Sequence, residues 1–203
     1  IYPASVNASA WTDARLYNEG TLKLKENGTD TGATEKVWQP AAGAYLYTAE
    51  FTATNYTADP VSWTATVYQG TPTTHLYLEG MESDQSYAIG STADIKANSS
   101  VAGLTNVIYA NYTGSLEQIA SGNPAVNQTN TGNLGLGKYE IVANTTGNAN
   151  WTGSVKVIRF MTVYDSQAPA YSGITENPAS PATYSPSQAY QFGSTWTDNV
   201  AVS

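Results

Sequence analysis

Apolar and polar residues alternate at period two along most of the chain, while the three-to-four-residue apolar spacing of an amphipathic helix is almost absent. Thr21-Leu22-Lys23-Leu24-Lys25 alternates and runs into Asn27-Gly28. That dipeptide favours a two-residue turn between strands because both positions tolerate positive φ. Tyr45-Leu46-Tyr47-Thr48-Ala49-Glu50-Phe51 alternates in the same way, as do 62–68, 75–78, 93–97, 107–109, 139–143 and 155–163. Strands recurring every ~8–12 residues and separated by Gly, Asn and Pro predict an all-β chain made of sandwiches.

Superimposed on this alternation is a long-range echo. Ser9-Ala10-Trp11-Thr12-Asp13 reappears 185 positions later as Ser194-Thr195-Trp196-Thr197-Asp198, the signature of a repeated building unit. Residues 1–70 and 71–165 overlay on one template. Each closes with a Gly-x-Tyr-x-apolar run, Gly43-Ala44-Tyr45-Leu46-Tyr47 and Gly137-Lys138-Tyr139-Glu140-Ile141, followed by one more strand. Such a run suits the corner tyrosine of an immunoglobulin-like sandwich, whose hydroxyl bonds back to nearby backbone. Tyr47 and Ile141 then occupy the place of a disulfide cysteine. Residues 166–203 carry only a beginning: Tyr184 precedes Phe192 by the same eight residues that separate Tyr87 from Ile95, which predicts the same early pair of strands. Thr71-Pro72 and Asp165-Ser166-Gln167-Ala168-Pro169 mark the junctions, where proline removes a ladder donor and holds the preceding residue extended. The expectation is therefore tandem immunoglobulin-like β-sandwich domains: 1–70 without its first strand, 71–165, and 166–203 as the start of a further domain or a donor-strand tail.

Composition narrows the function classes. Only 12% of residues are charged, and the net charge of −8 with eight scattered Lys and Arg argues against a nucleic-acid partner, which requires clustered cations. With no cysteine, disulfides, thiolate metal sites and thiol nucleophiles are excluded. No apolar run approaches the roughly 20 residues of a membrane helix, and the chain reads as a processed or excised soluble segment. The compartment signal comes from Asn. Asn7, Asn27, Asn55, Asn98, Asn111, Asn127, Asn144 and Asn150 each open an N-x-S/T acceptor motif. From the Asn, Ser and Thr content roughly three or four would arise by chance, so eight favours a secreted surface carrying covalent N-glycans.

The run Thr71-Pro72-Thr73-Thr74-His75-Leu76-Tyr77-Leu78-Glu79-Gly80, then Tyr87-Ala88-Ile89-Gly90-Ser91, Gly103-Leu104-Thr105 and Gly147-Asn148-Ala149-Asn150-Trp151-Thr152, resembles the tandem immunoglobulin-like repeats of large archaeal cell-surface proteins. Ala168-Pro169, the run from Tyr184 to Phe192 and the run from Trp196 to Ser203 resemble the start of a companion repeat in such proteins. The likeness covers nearly all of the chain. It implies S-layer-like, stalk, filament or adhesin roles at the cell surface with heavy glycosylation, and it carries no catalytic residues across.

The ends add a mechanism. A short piece of a sandwich cannot bury enough surface to stand alone, and a sandwich missing an edge strand exposes an unpaired ladder. Trimmed for the overlap of 1–18 with 186–203, the two end pieces make one domain of about 90 residues, near the size of this fold. Strand addition between copies, head to tail, would propagate as a fibre, with Tyr184, Tyr190, Phe192 and Trp196 at the subunit contact. A longer covalent array cut at both ends accounts for the same pattern, and the duplicated Trp-Thr-Asp strand fits it more simply.

Candidate chemistry is sparse. The single histidine, His75, lies in an alternating strand and is expected to be structural; no nucleophile elbow or phosphate loop occurs, so no enzyme activity is expected. Nothing in the spacing of the sixteen Asp and Glu selects a glycosidase pair. No cofactor is expected, with one exception: Asp165, Glu176, Asp198 and Asn199 lie near a junction where tandem sandwiches can hold Ca²⁺, although no ligand loop of defined spacing is present. Fifteen Tyr and five Trp against three Phe suit either core filling or sugar stacking. Trp11, Trp63 and Tyr45 are assigned to the core. The aromatics inside Asn55-Tyr56-Thr57, Asn111-Tyr112-Thr113 and Asn150-Trp151-Thr152 are assigned to the core or to packing on the protein's own glycan. An adhesin or carbohydrate-binding module using exposed Tyr and Trp is the alternative function.

Overall fold

The computed structural model describes residues 1–12 and 19–198. Its strands form three groups. The first contains β1 (Val6–Ser9), β2 (Gly20–Glu26), β3 (Thr29–Asp30), β4 (Glu35–Trp38), β5 (Gly43–Ala53) and β6 (Val61–Val67). The second contains β7 (Thr74–Leu78), β8 (Gln85–Ala88), β9 (Thr92–Ser99), β10 (Asn106–Ala110), β11 (Glu117–Gly122), β12 (Ala125–Asn130), β13 (Gly137–Thr145) and β14 (Val157–Tyr164), with one 3₁₀ turn at Thr131–Asn133. The third is the pair β15 (Ala170–Asn177) and β16 (Gln191–Thr197).

Every stretch whose alternation predicted a strand overlaps one, with Tyr68, Val155 and Lys156 falling just outside β6 and β14. Along β7 and β9 the buried positions recur every second residue, as expected when one face of a pleated strand meets a core. Asn27 and Gly28 have φ of 49° and 83°, the two positive values that a tight turn into β3 requires.

The second group is a complete two-sheet sandwich. One sheet has the order β12-β9-β7 and the other β11-β10-β13-β14-β8, antiparallel except where β8 runs parallel to β14. Leu76, Leu78, Ile95, Ile108, Ile141 and Met161 are fully buried between them. A buried polar chain also ties the sheets: Thr74 Oγ1 lies 2.6 Å from Thr145 Oγ1 and 2.5 Å from Ser154 Oγ, and the Thr145 hydroxyl donates to Asn106 Oδ1 at 2.9 Å.

The first group repeats this plan in smaller form, with sheets β1-β4 and β3-β2-β5-β6. The two plans match strand for strand, β1 to β6 corresponding to β9 to β14. Strands β7 and β8 have no counterpart in the first group among the described residues. Among the described residues its packed core is correspondingly thin: the buried cluster is Ala8, Leu24 and Tyr47, against a cluster of thirteen in the second group. The Tyr47 hydroxyl accepts from Trp38 Nε1 at 2.9 Å, so its burial leaves no polar atom unpaired.

Both corner tyrosines are made. Tyr45 Oη donates to the Ala41 carbonyl and Tyr139 Oη to the Gly135 carbonyl, each at 2.8 Å across four residues. Tyr47 and Ile141, two residues beyond, are fully buried, which is the position occupied by a cysteine in disulfide-bonded relatives of this fold.

Three expectations differ from the structure. Trp11 is 86% exposed instead of filling the core, because β1 ends at Ser9 and the alternation that would turn it inward ends there. Trp63 is 37% exposed, stacked on Tyr47 with ring centroids 6.0 Å apart. Tyr184 lies outside any strand, and β16 pairs with β15 instead. The physical reason is visible in the second group: Tyr87 is held in β8 by β14, and no equivalent of β14 accompanies Tyr184 among the described residues.

Candidate functional site

Three features have the makings of a functional site: the junction of the first two groups, the Asn acceptor motifs, and the open ribbon β15–β16.

The junction is bonded through main chain. Gly70 N donates to Asn150 O at 3.0 Å and Thr152 N to Gly70 O at 2.8 Å, a short parallel bridge between the end of the first group and the β13–β14 loop of the second. Tyr2 N donates to Tyr68 O at 2.6 Å, and the Tyr2 ring meets Trp151 edge-on, 5.4 Å between centroids. Gln69 Nε2 caps the Asn148 and Ala149 carbonyls at 2.9 and 3.1 Å. Asn150 Oδ1 accepts the Ala42 N–H across the junction at 2.9 Å. Gly70 is required because a Cβ there would stand 2.5 Å from the Trp151 ring and closer still to the Tyr2 carbonyl oxygen.

The eight acceptor asparagines occupy distinct environments. Asn7, Asn27 and Asn55 are exposed, and Asn98, Asn111, Asn127, Asn144 and Asn150 are half-buried. Asn27 Oδ1 accepts the Leu46 N–H at 2.9 Å, and Asn111 Oδ1 accepts the Glu140 N–H at 2.7 Å. Asn127 accepts from the Thr129 hydroxyl at 2.7 Å and donates to the Ile119 carbonyl at 3.3 Å. Asn98 and Asn144 stand in β9 and β13, each with a buried Oδ1 that has no hydrogen-bond partner. Of the aromatics inside these motifs, Tyr112 packs on Tyr139 and bonds Thr129, Trp151 packs at the junction, and Tyr56 is exposed.

In the third group every residue of β15 and β16 is exposed. Tyr171, Ile174, Phe192 and Trp196 line an open cleft on one face of the ribbon, with the Tyr171 and Trp196 rings 5.5 Å apart. The matching pair β7–β9 has its apolar face buried under β10, β13 and β14. Of the four residues expected at a subunit contact, the structure brings Phe192 and Trp196 together. Tyr184 and Tyr190 lie apart from the cleft lining, in the connecting segment, where the Tyr190 hydroxyl accepts from Ser185 N and donates to Thr183 O. Tyr171 and Ile174 complete the face. Their alternation is interrupted by a register shift between Ser172 and Thr175, which hid them in the sequence.

The remaining candidates are readily placed. His75 Nδ1 lies 2.8 Å from Glu82 Oε1, and its ring stacks on Tyr77. Hydrogen bonds from His75 and then Tyr77 hold the Glu82 carboxyl below the usual range. Asp165 Oδ1 accepts from Gln167 N at 2.9 Å, Glu176 is exposed on β15, Asp198 lines a small cleft with Gln167 and Thr197, and Asn199 lies outside the described residues. Among the described residues no three His, Asp or Glu come together as a metal-binding group, and no helix is long and apolar enough to cross a membrane.

No family model matches the chain, and no curated protein matches it. Among solved structures it is similar to the fibronectin(III)-like modules of Clostridium thermocellum CbhA, at 15% identity over 80% of this chain and 87% of that one, with a TM-score of 0.37. It is also similar to SGBP-B of the Bacteroides ovatus mixed-linkage glucan utilization locus, solved with a mixed-linkage heptasaccharide, at 14% identity over 77% of this chain and 41% of that one, with a TM-score of 0.29.

Proposed function

We propose that the chain is a non-catalytic structural unit of a cell exterior, a glycosylated tandem of immunoglobulin-like sandwiches that builds a filament, stalk or layer through head-to-tail contacts. The observation that carries this reading is the junction. Two sandwiches are bonded to each other by main-chain hydrogen bonds and a Tyr2–Trp151 ring pair, with Gly70 admitting the close approach. Such a joint transmits force and holds orientation, which a flexible linker would not do. Contacts between copies are supported by complementary deficits. The ribbon β15–β16 presents an uncovered apolar face, and among the described residues the first sandwich shows no strands equivalent to β7 and β8. Strand exchange between copies would cover the ribbon face, and denaturing electrophoresis distinguishes such non-covalent joining from covalent joining. Electron microscopy of the native material tests the proposal: regular filaments or sheets are expected, and monomers that persist by light scattering at high concentration overturn it.

A second reading, an adhesin or carbohydrate-binding module, draws on the aromatic cleft of Tyr171, Phe192 and Trp196, which are 62%, 79% and 55% exposed. Aromatic faces of this kind stack on sugar rings. Oligosaccharide binding that is lost in Trp196→Ala would favour it.

A further inference from the structure

Asn27 and Asn111 occupy one and the same position in the two sandwiches. Each is the residue that directly follows its strand, β2 or β10, and each opens an acceptor motif, Asn27-Gly28-Thr29 and Asn111-Tyr112-Thr113. Asn27 N donates to Leu46 O at 2.7 Å and Leu46 N donates back to Asn27 Oδ1 at 2.9 Å. Asn111 N donates to Glu140 O at 3.2 Å and Glu140 N donates back to Asn111 Oδ1 at 2.7 Å. Leu46 and Glu140 are themselves equivalent, since each follows its corner tyrosine. The carboxamide oxygen thus stands in for a main-chain carbonyl and adds a rung to the ladder beyond the strand end.

This rung fixes the plane of the amide. With Oδ1 held by the neighbouring strand, Nδ2 is directed away from it and donates to no described residue. In N-glycosylation a bond forms between Nδ2 and the anomeric carbon of a sugar activated on a lipid-linked phosphate or pyrophosphate. The C–O bond to phosphate breaks, the phosphate leaves with the electron pair, and Nδ2 gives up one proton. The product keeps its carbonyl oxygen, so the rung survives modification. At the Asn27 turn there is also room: nothing lies within 4 Å of a Cβ placed on Gly28. At Asn111 the middle residue of the motif is turned inward, Tyr112 packing on Tyr139 and against the core.

Asn98, Asn127 and Asn144 lack this combination. Asn127 donates its amide to Ile119 O and accepts from the motif's own Thr129 hydroxyl, so both ends of the carboxamide are committed. Asn98 and Asn144 sit within strands with Oδ1 buried and unpartnered. Asn150 also has its oxygen held by a main-chain N–H, that of Ala42, but at the junction between the sandwiches and not at a strand end beside a corner tyrosine.

We infer that Asn27 and Asn111 are one repeated glycosylation position, borne once per sandwich at the corner beside the recurring tyrosine hydrogen bond, while Asn127 and Asn144 are left bare. The inference rests on the reading of the chain as an exterior glycoprotein. Site-resolved mass spectrometry of intact glycopeptides, on chain made in cells that glycosylate a control acceptor, tests it. Occupancy at Asn27 and Asn111 several-fold above that at Asn127 and Asn144 is expected. Thr29→Ala and Thr113→Ala, which abolish the motif but keep the Asn rung, should each remove one glycan and leave the fold intact by circular dichroism. Glycans on Asn127 or Asn144 with Asn27 and Asn111 bare overturn this inference alone. A chain bare at all eight positions overturns the exterior-glycoprotein reading with it.

Discussion

Replacing Gly70 by alanine should unlatch the first two sandwiches while leaving each intact. The added methyl would lie 2.5 Å from the Trp151 ring and nearer still to the Tyr2 carbonyl oxygen. Carbon atoms pack at about 3.5–4.0 Å, so the strands must part by about 1 Å. A backbone oxygen cannot rotate aside as a flexible side chain could. Separation lengthens the bonds from Gly70 N to Asn150 O and from Thr152 N to Gly70 O, and it disturbs the Tyr2–Trp151 pair. At about 1 kcal/mol for each hydrogen bond and about 0.5–1.5 kcal/mol for the ring pair, the junction weakens by about 2.5–3.5 kcal/mol. That is roughly a hundredfold rise in the open fraction. Small-angle scattering should report a broader distance distribution, and limited proteolysis should cut faster between residues 68 and 73. Gln69→Ala, which deletes only the solvent-exposed side-chain caps on Asn148 and Ala149 and forces no strand apart, should have a smaller effect. The core residues Leu76, Ile95 and Met161 belong to the second sandwich alone, so its melting should be unchanged. Scattering and cleavage identical to the parent chain would refute this account of the junction.

Other substitutions report on the sandwiches themselves. Tyr45→Phe and Tyr139→Phe each delete one corner hydrogen bond and should cost about 1 kcal/mol by denaturant titration. Thr145→Val breaks the buried chain at its centre, leaving Thr74 and Asn106 short of a partner, and should cost about 1–3 kcal/mol. Tyr87 predicts alkaline sensitivity. Burial, then the Glu79 and Asp94 carboxylates, push its phenol well above the ordinary value. The folded state therefore holds it neutral while the unfolded chain ionises near pH 10. Its contribution to stability is full below about pH 10 and falls as the pH rises beyond it. Tyr87→Phe should move the alkaline unfolding midpoint upward, and because the Tyr87 hydroxyl is buried without a partner, it should cost little at neutral pH.

Strand positions were legible because alternation is a local property: a residue and its second neighbour share a face wherever the strand goes. Asn27-Gly28 and the two Gly-x-Tyr runs were legible for the same reason, since positive φ and a four-residue tyrosine bond involve only near neighbours. The acceptor motifs could be read as candidates, but the direction of each amide could not. Whether Oδ1 meets Leu46, Glu140, Ala42 or nothing depends on a strand or loop far along the chain. Trp11 and Tyr184 were misplaced by extending a local pattern past the point where a partner exists to bury it. The ribbon face was half visible, with Phe192 and Trp196 in plain alternation and Tyr171 and Ile174 concealed by the register shift. Local patterning was thus enough to predict an all-β chain of repeated sandwiches with Asn acceptor motifs. Only the tertiary structure decided that β8 runs parallel to β14, that Asn150 and Trp151 latch the first sandwich, and that Asn27 and Asn111 are equivalent. Each of those depends on which distant residues meet, and that is settled by the packing of whole sheets, not by the spacing of neighbours.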